Sequence, residues 1–476
     1  MKTDKPLWQW QATDIAAAVR RREISCREVT ASVLARAQAV NPRINALTEV
    51  LASEALASAD AADQLAASGA ALGALHGVPV TIKVNVDQAG HATTNGALPF
   101  RDHVAREDAP VVAHLRQAGA IIIGRSNTAT YSSRWFTDNA VHGRTLNPWN
   151  AQVTPGGSSG GAAAAVASGM GALAHGNDIG GSIRYPAYAC GVAGLRPTSG
   201  RIPAFNPSST AERSITPQLM SVQGPLARTV ADLRLGFHAM AQADARDPNW
   251  VPVPLELPAP PAPIRVALFR QCEGVPVHPA VRQALDDAAR WLEQAGYVVE
   301  EAQLPHFLEA AALWRTLIND DSRRSIIAGV EAHGDEAMRR SQAYMLAGIP
   351  ETGRDAFLDA LARRQTLARS WSVFMERHPL VLMPVSWQPP APQDEDIASA
   401  QRAEALIAAQ SPLLATAMLG MPGLSVPTGV ANGLPMGVQL MSWRWREDLL
   451  LQAGAVIEQA AGFTALPEQP LFQHHH

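Results

Sequence analysis

The chain has little with which to cross-link itself or seat a metal: only Cys26, Cys190 and Cys272 among 476 residues are cysteines. Their odd number and wide spacing argue against a disulfide framework or a zinc site and fit a reducing, cytoplasmic setting. No run of about 18 apolar residues is present to span a membrane, and the opening MKTDKPLWQWQATD lacks the apolar segment of a secretory signal. No long block of one charge sign occurs and the formal net charge is -4, so nothing recommends a nucleic acid or an acidic membrane as partner. A nucleotide motif is also missing: without G-x-x-x-x-G-K-[ST] there is no nucleotide phosphate cradle. Lysine is scarce: after Lys5 the only one is Lys83, and the other charged bases are arginine.

With 47% hydrophobic residues, the chain can still build a sizeable core. A helical pattern runs from Thr13 to Ala71, with Ile15, Val19, Val29, Val33 and Leu34 at helix spacing, and Asn41-Pro42 interrupts it. A strand signal follows at Val78–Val84. In APVVAHLRQAGAIIIGRSN a helix closes at Gly119 and a buried strand holds Ile121, Ile122 and Ile123. Such alternation predicts a mixed or parallel sheet covered by helices. The proline-rich Asp247–Pro263 is neither regular helix nor central strand, and by composition reads as a linker. IRVALF then reads as a strand, Val281–Gly296 as a helix, and residues 305–378 as mostly helical, with Phe357, Leu361, Leu367, Trp371 and Phe374 roughly on one face. Strands return at Leu380–Pro384 and Gly423–Val430, and Asn432-Gly433 turns the chain into Gly437–Met441 as a hairpin. The terminal His474-His475-His476 is a native end or a tag remnant and carries no function here.

The chemistry concentrates in TPGGSSGGAAAAVASGMGALAHGNDIGGSIR, residues Thr154–Arg184. Ser158 and Ser182 each stand directly behind a Gly-Gly pair, 24 residues apart. Glycine lets backbone approach closely, so two such placements suggest two hydroxyls brought to one point. Ile179, Gly180, Gly181 and Ser182 offer successive backbone N–H groups for an oxyanion. A serine nucleophile also needs a base. His76, His142 and His175 stand in no triad context, whereas Lys83 sits in the apolar run VPVTIKVNV, where burial would favour the neutral amine. Taken singly, these features have plainer readings. GGSSGG alone reads as a flexible polar loop, Lys83 alone as a strand-end lysine reaching water, and Cys190 as a small buried residue.

Together, LHGVPVTIKVNV, TPGGSSGG, HGNDIGGSIRYPAYACGVAGLRPT and GMPGLSVPTGVANGLPMGVQLM resemble the amidase signature family of serine hydrolases, over nearly the whole chain. The resemblance implies an α/β fold: a single compact α/β/α domain over residues 1–473, with a large mixed, twisted sheet of ten or eleven strands covered by helices. Within it, residues 10–70 would form N-terminal helices, 71–235 the signature core, 247–263 a surface crossover rather than a linker, and 305–400 a helical substrate entrance. It also implies a Ser–cis-Ser–Lys triad. Ser182 would be the nucleophile, Ser158 the bridging hydroxyl behind a cis peptide bond, and neutral Lys83 the base, with the N–H groups of residues 179–182 as oxyanion hole. Asp178 and Arg184 would brace the loop, and Tyr131, Ser132, Ser133 and Trp135 would touch the substrate, with Trp314 and Trp387 as weaker candidates. This chemistry calls for no cofactor or metal.

The chain departs from many relatives at Val84, where aspartate often follows the lysine, at Asn177, where threonine is frequent, and at Thr130, where glutamate is frequent. No departure removes a triad member. The expected activity is an amidohydrolase acting on a small-molecule amide. A carbamate or ester hydrolase with the same triad is the alternative, and a glutamyl-tRNA amidotransferase subunit is a further one. Homodimers are common in the family.

Overall fold

The computed structural model describes residues 5–465, so the terminal histidines lie outside the described residues. Its strands join one mixed 11-stranded sheet. In chain order they are β1 (Leu47–Val50), β2 (Pro79–Lys83), β3 (Ile121–Ser126), β4 (Leu173–Asp178), β5 (Ala193–Arg196), β6 (Val222–Ala227), β7 (Arg265–Leu268), β8 (Val298–Glu301), β9 (Leu380–Pro384), β10 (Gly423–Ala431) and β11 (Leu434–Ser442). Across the sheet the order is β1-β3-β2-β4-β6-β5-β10-β11-β9-β7-β8. β2 runs parallel to both β3 and β4, and β7 parallel to both β8 and β9; the remaining pairs are antiparallel. The proline-rich stretch before β7 therefore connects two strands of one sheet and separates no second sheet.

Helices cover this sheet, as the alternating pattern requires. The N-terminal helical stretch divides into Ala12–Arg20, Cys26–Ile44 and Ala52–Ala67, with β1 between the last two. Asn41-Pro42 does not break the second helix, which runs to Ile44 before Asn45 turns left-handed at φ 55°. Pro42 sits in the closing turn, where it removes one helical N–H bond and only two helical residues follow it. The Asn41 side chain brackets the backbone of Leu47, donating to its carbonyl and accepting from its N–H, both at 2.8 Å, and so leads the chain into β1. Leu380–Pro384 and the Asn432-Gly433 hairpin form where their sequences predict, although β11 extends beyond both ends of Gly437–Met441.

Two short helices matter most for the site. Gly160–Ala167 is buried along its whole length, which accounts for GGAAAAVA: packed on every side, it has room only for small side chains. Arg184–Cys190 is likewise buried throughout. Ser158 precedes the first helix and Ser182 the second. A third layer, built from Phe307–Ser325 and Arg354–Arg377, packs Trp314, Leu317, Leu367 and Trp371 into a separate apolar cluster beside the sheet.

Candidate active site

Sheet register brings the base to the serines. β2 pairs in parallel with β4 through Val80↔Leu173 and Thr81↔Ala174, so the C-terminal ends of both strands, Lys83 and Asn177-Asp178, emerge together. Lys83 is fully buried, and its Nζ lies 2.8 Å from Ser158 Oγ, 3.0 Å from Ser159 Oγ and 2.6 Å from Asn177 Oδ1. Burial drives its pKa well below the ordinary lysine value, with the charge of Asp178 opposing the shift.

The neighbours determine how that amine spends its protons. Ser159 Oγ donates to the Asn177 carbonyl at 3.3 Å, so toward Lys83 it is an acceptor. The Asn177 amide is oriented by its own Nδ2, which donates to Asn85 Oδ1 at 3.0 Å and leaves Oδ1 as an acceptor. Asn85 in turn donates to Ser132 Oγ, which donates to Asn95 Oδ1. A neutral amine has two N–H groups and one lone pair. With Ser159 and Asn177 taking both N–H groups, the lone pair faces the Ser158 hydroxyl.

The Gly157-Ser158 peptide bond is cis. A Cβ on Gly157 would lie 2.4 Å from the Arg134 carbonyl oxygen and 2.6 Å from Phe136 N, so no larger residue fits there. Ser159 N donates to the Ser182 carbonyl at 3.2 Å, tying the two serine segments together. Ser182 is nearly buried, at the floor of a cavity, and among the described residues its Oγ makes no hydrogen bond.

Asp178 organises the turn that follows. Its carboxylate accepts from Gly181 N at 2.9 Å and Ile183 N at 3.2 Å, and it pairs with Arg184 and Arg196, all three side chains being inaccessible to solvent. Burial alone would raise this carboxyl's pKa, but the two guanidinium groups hold it well below the usual carboxylate range. The Gly181 N–H is thus occupied, which leaves those of Ile179, Gly180 and Ser182 for a substrate oxygen. Arg184 also reaches Gln439 Oε1 at 2.6 Å, anchoring the turn to β11.

The cavity at Ser182, open on one side, has a volume of about 120 Å³ and is walled by Trp135, Ile179, Trp314, Ile318, Met345 and Ile407. Ser132 and Ser133 also line it. Tyr131 does not: its ring meets Phe100 edge-on and its Oη donates to the Gly329 carbonyl. Trp387 is core, its Nε1 donating to Ser411 Oγ and its ring against Phe269. Sequence reasoning missed Ser159 as a lysine partner, although the doubled serine of GGSSGG was its signal. It also missed the buried Arg134–Asp396 pair on the cavity wall, joined by two 2.8 Å bonds across 262 residues, for which no local signal exists.

Comparisons with known proteins find relatives along nearly the whole chain. The Amidase family profile matches residues 28–451. An indoleacetamide hydrolase of Bradyrhizobium diazoefficiens is 47% identical over 461 residues, covering 97% of this chain and 88% of that protein. A glutamyl-tRNA(Gln) amidotransferase subunit of Moorella thermoacetica is 32% identical, covering 96% and 98%. Among solved structures, a bacterial aryl acylamidase of the amidase signature enzymes superposes with a TM-score of 0.83 at 26% identity, covering 96% and 98%.

Proposed function

The chain belongs to the amidase family and hydrolyses amide C–N bonds, and on that premise we propose that Ser182, Ser158 and Lys83 form its catalytic relay, acting on the primary amide of a small arylacetic acid. The observation carrying this reading is the buried amine of Lys83, 2.8 Å from Ser158 Oγ, beneath Ser182 at the floor of an apolar cavity. Ser182 Oγ attacks the amide carbonyl while its proton passes to Ser158 Oγ, whose own proton passes to the Lys83 lone pair. The Ser158–Ser182 link is the one the substrate complex must close, as catalytic hydrogen bonds commonly tighten only on binding. The N–H groups of Ile179, Gly180 and Ser182 receive the oxyanion. On collapse the C–N bond breaks and the relay returns its proton to the nitrogen, releasing ammonia. Water then attacks the acyl-enzyme, gives up a proton to the same relay, and frees the carboxylic acid while Ser182 regains its hydrogen.

Two observations support the acyl group. The cavity's 120 Å³ is close to the roughly 150 Å³ that accommodates a benzene ring in an engineered cavity, enough for a flat aromatic group. The relative at 47% identity is named for indoleacetamide, and this identity stands well above the 32% to the amidotransferase protein. The test is a panel of arylacetamides, anilides, carbamates and esters on the isolated protein. Arylacetamides are expected to give the highest kcat/KM with release of ammonia, and Ser182→Ala to lower kcat at least about 10³-fold. Turnover retained in Ser182→Ala would refute the nucleophile; a clear preference for esters or carbamates would refute the substrate class.

A further inference from the structure

The turn that must hold the oxyanion is made of the least constrained residues available. Gly180 and Gly181 have no side chain to fix their peptide planes, and glycine backbone rotates freely unless something outside it intervenes. Two indoles intervene. Trp314, on the helix Phe307–Ser325, donates its Nε1–H to the Ile179 carbonyl at 2.7 Å. Trp135, in the segment between β3 and the helix Gly160–Ala167, donates its Nε1–H to the Gly180 carbonyl at 3.0 Å. An indole has a single N–H, and each of these is spent on one of two consecutive carbonyls of the turn.

In a trans peptide the C=O and the next N–H point in opposite directions. Holding the Ile179 carbonyl on Trp314 therefore turns Gly180 N–H away from that indole, on the side left unbonded. Holding the Gly180 carbonyl on Trp135 turns Gly181 N–H the other way, where Asp178 Oδ1 receives it at 2.9 Å. The fit is close: a Cβ on Gly180 would lie 2.4 Å from Trp314 Cζ2. The same two rings also wall the acyl cavity.

We propose that Trp135 and Trp314 are positioning residues for the oxyanion-binding turn, each indole N–H fixing one carbonyl so that the turn's free N–H groups stay aimed at the substrate oxygen. This rests on Ser182 being the nucleophile. Because each ring both touches the acyl group and holds the turn, an aromatic acyl group that packs the cavity also braces the oxyanion donors.

Trp314→Phe and Trp135→Phe test it, since phenylalanine keeps an aromatic wall and removes the N–H. Kinetics are measured on indoleacetamide, with active sites counted by fluorophosphonate labelling carried to completion. Each variant is expected to lose about 10- to 100-fold in kcat with KM within about threefold, and affinity for an arylmethyl trifluoromethyl ketone, which binds as an oxyanion, should fall in step with kcat/KM. Trp314→His and Trp135→His, which keep a ring N–H, should recover part of the loss. A rise in KM with kcat within about twofold would overturn the proposal and leave the indoles as cavity wall only. The two positions are read separately, so a variant that fails to fold leaves the other to decide. Ser182→Ala separates the premises: activity retained there refutes the nucleophile, whereas an inactive Ser182→Ala beside fully active tryptophan variants refutes only the positioning role.

Discussion

In the proposed relay, whether Lys83 carries two protons or three determines whether the reaction can start. With three, the amine has no lone pair for Ser158 and the relay stops, so kcat/KM is expected to fall with a slope of one as pH drops through the depressed lysine pKa. Asn177→Asp places a carboxylate where Oδ1 now lies 2.6 Å from Nζ, which favours the ammonium form. Its acid limb should move to higher pH, with activity lost near neutrality and partly regained in alkali. Asn177→Thr, the residue frequent in relatives, should leave the limb near its original place. A pH profile of kcat/KM for the three proteins decides this. Stability is linked to the same proton. Because the folded-state pKa is lowered, the unfolded chain holds the extra proton between that value and about 10.4, so stability rises with pH across that interval. Lys83→Met should flatten the rise in urea titrations made at several pH values.

At the scale of elements, two short buried helices hold the serines, and glycines govern how closely the connecting segments approach. Gly157→Ala would drive a Cβ into the backbone of Arg134–Phe136, where no flexible side chain can yield. The expected cost is about 3 kcal/mol or more, measurable as a lowered urea midpoint together with loss of activity. The signature turns and the strand carrying Lys83 were legible in the sequence because each is a local pattern: a glycine pair before a serine, or a lysine closing an apolar run. The strand β1 was not, since LTEV is short, half exposed and stands between two helices of one continuous pattern. Nor was the continuation of helix through Pro42, because proline is tolerated or disruptive according to its place in the turn. The indoles of Trp135 and Trp314 were legible as aromatic candidates near the acyl group. Their bonds to Gly180 and Ile179, spanning 45 and 135 residues, depend on packing that no local pattern encodes.

Across the whole molecule, distant segments close the cavity. Arg134 and Asp396 meet across 262 residues, with side chains only 1% and 9% exposed. Removing Asp396 leaves the buried Arg134 with only the longer 3.8 Å contact to Asp394, so Asp396→Ala is expected to destabilise the protein by up to about 3–5 kcal/mol, read by chemical denaturation. Among the described residues no helix is long and apolar enough to cross a membrane. The burial of Lys83 has a further consequence for reagents that modify amines. Lys2 and Lys5 are the only other lysines in the chain, and Lys83 has no exposed surface. In the folded protein, acylating labels and cross-linkers that seek lysine are therefore confined to the first few residues. The rate at which position 83 takes up such a label measures how often the interior opens.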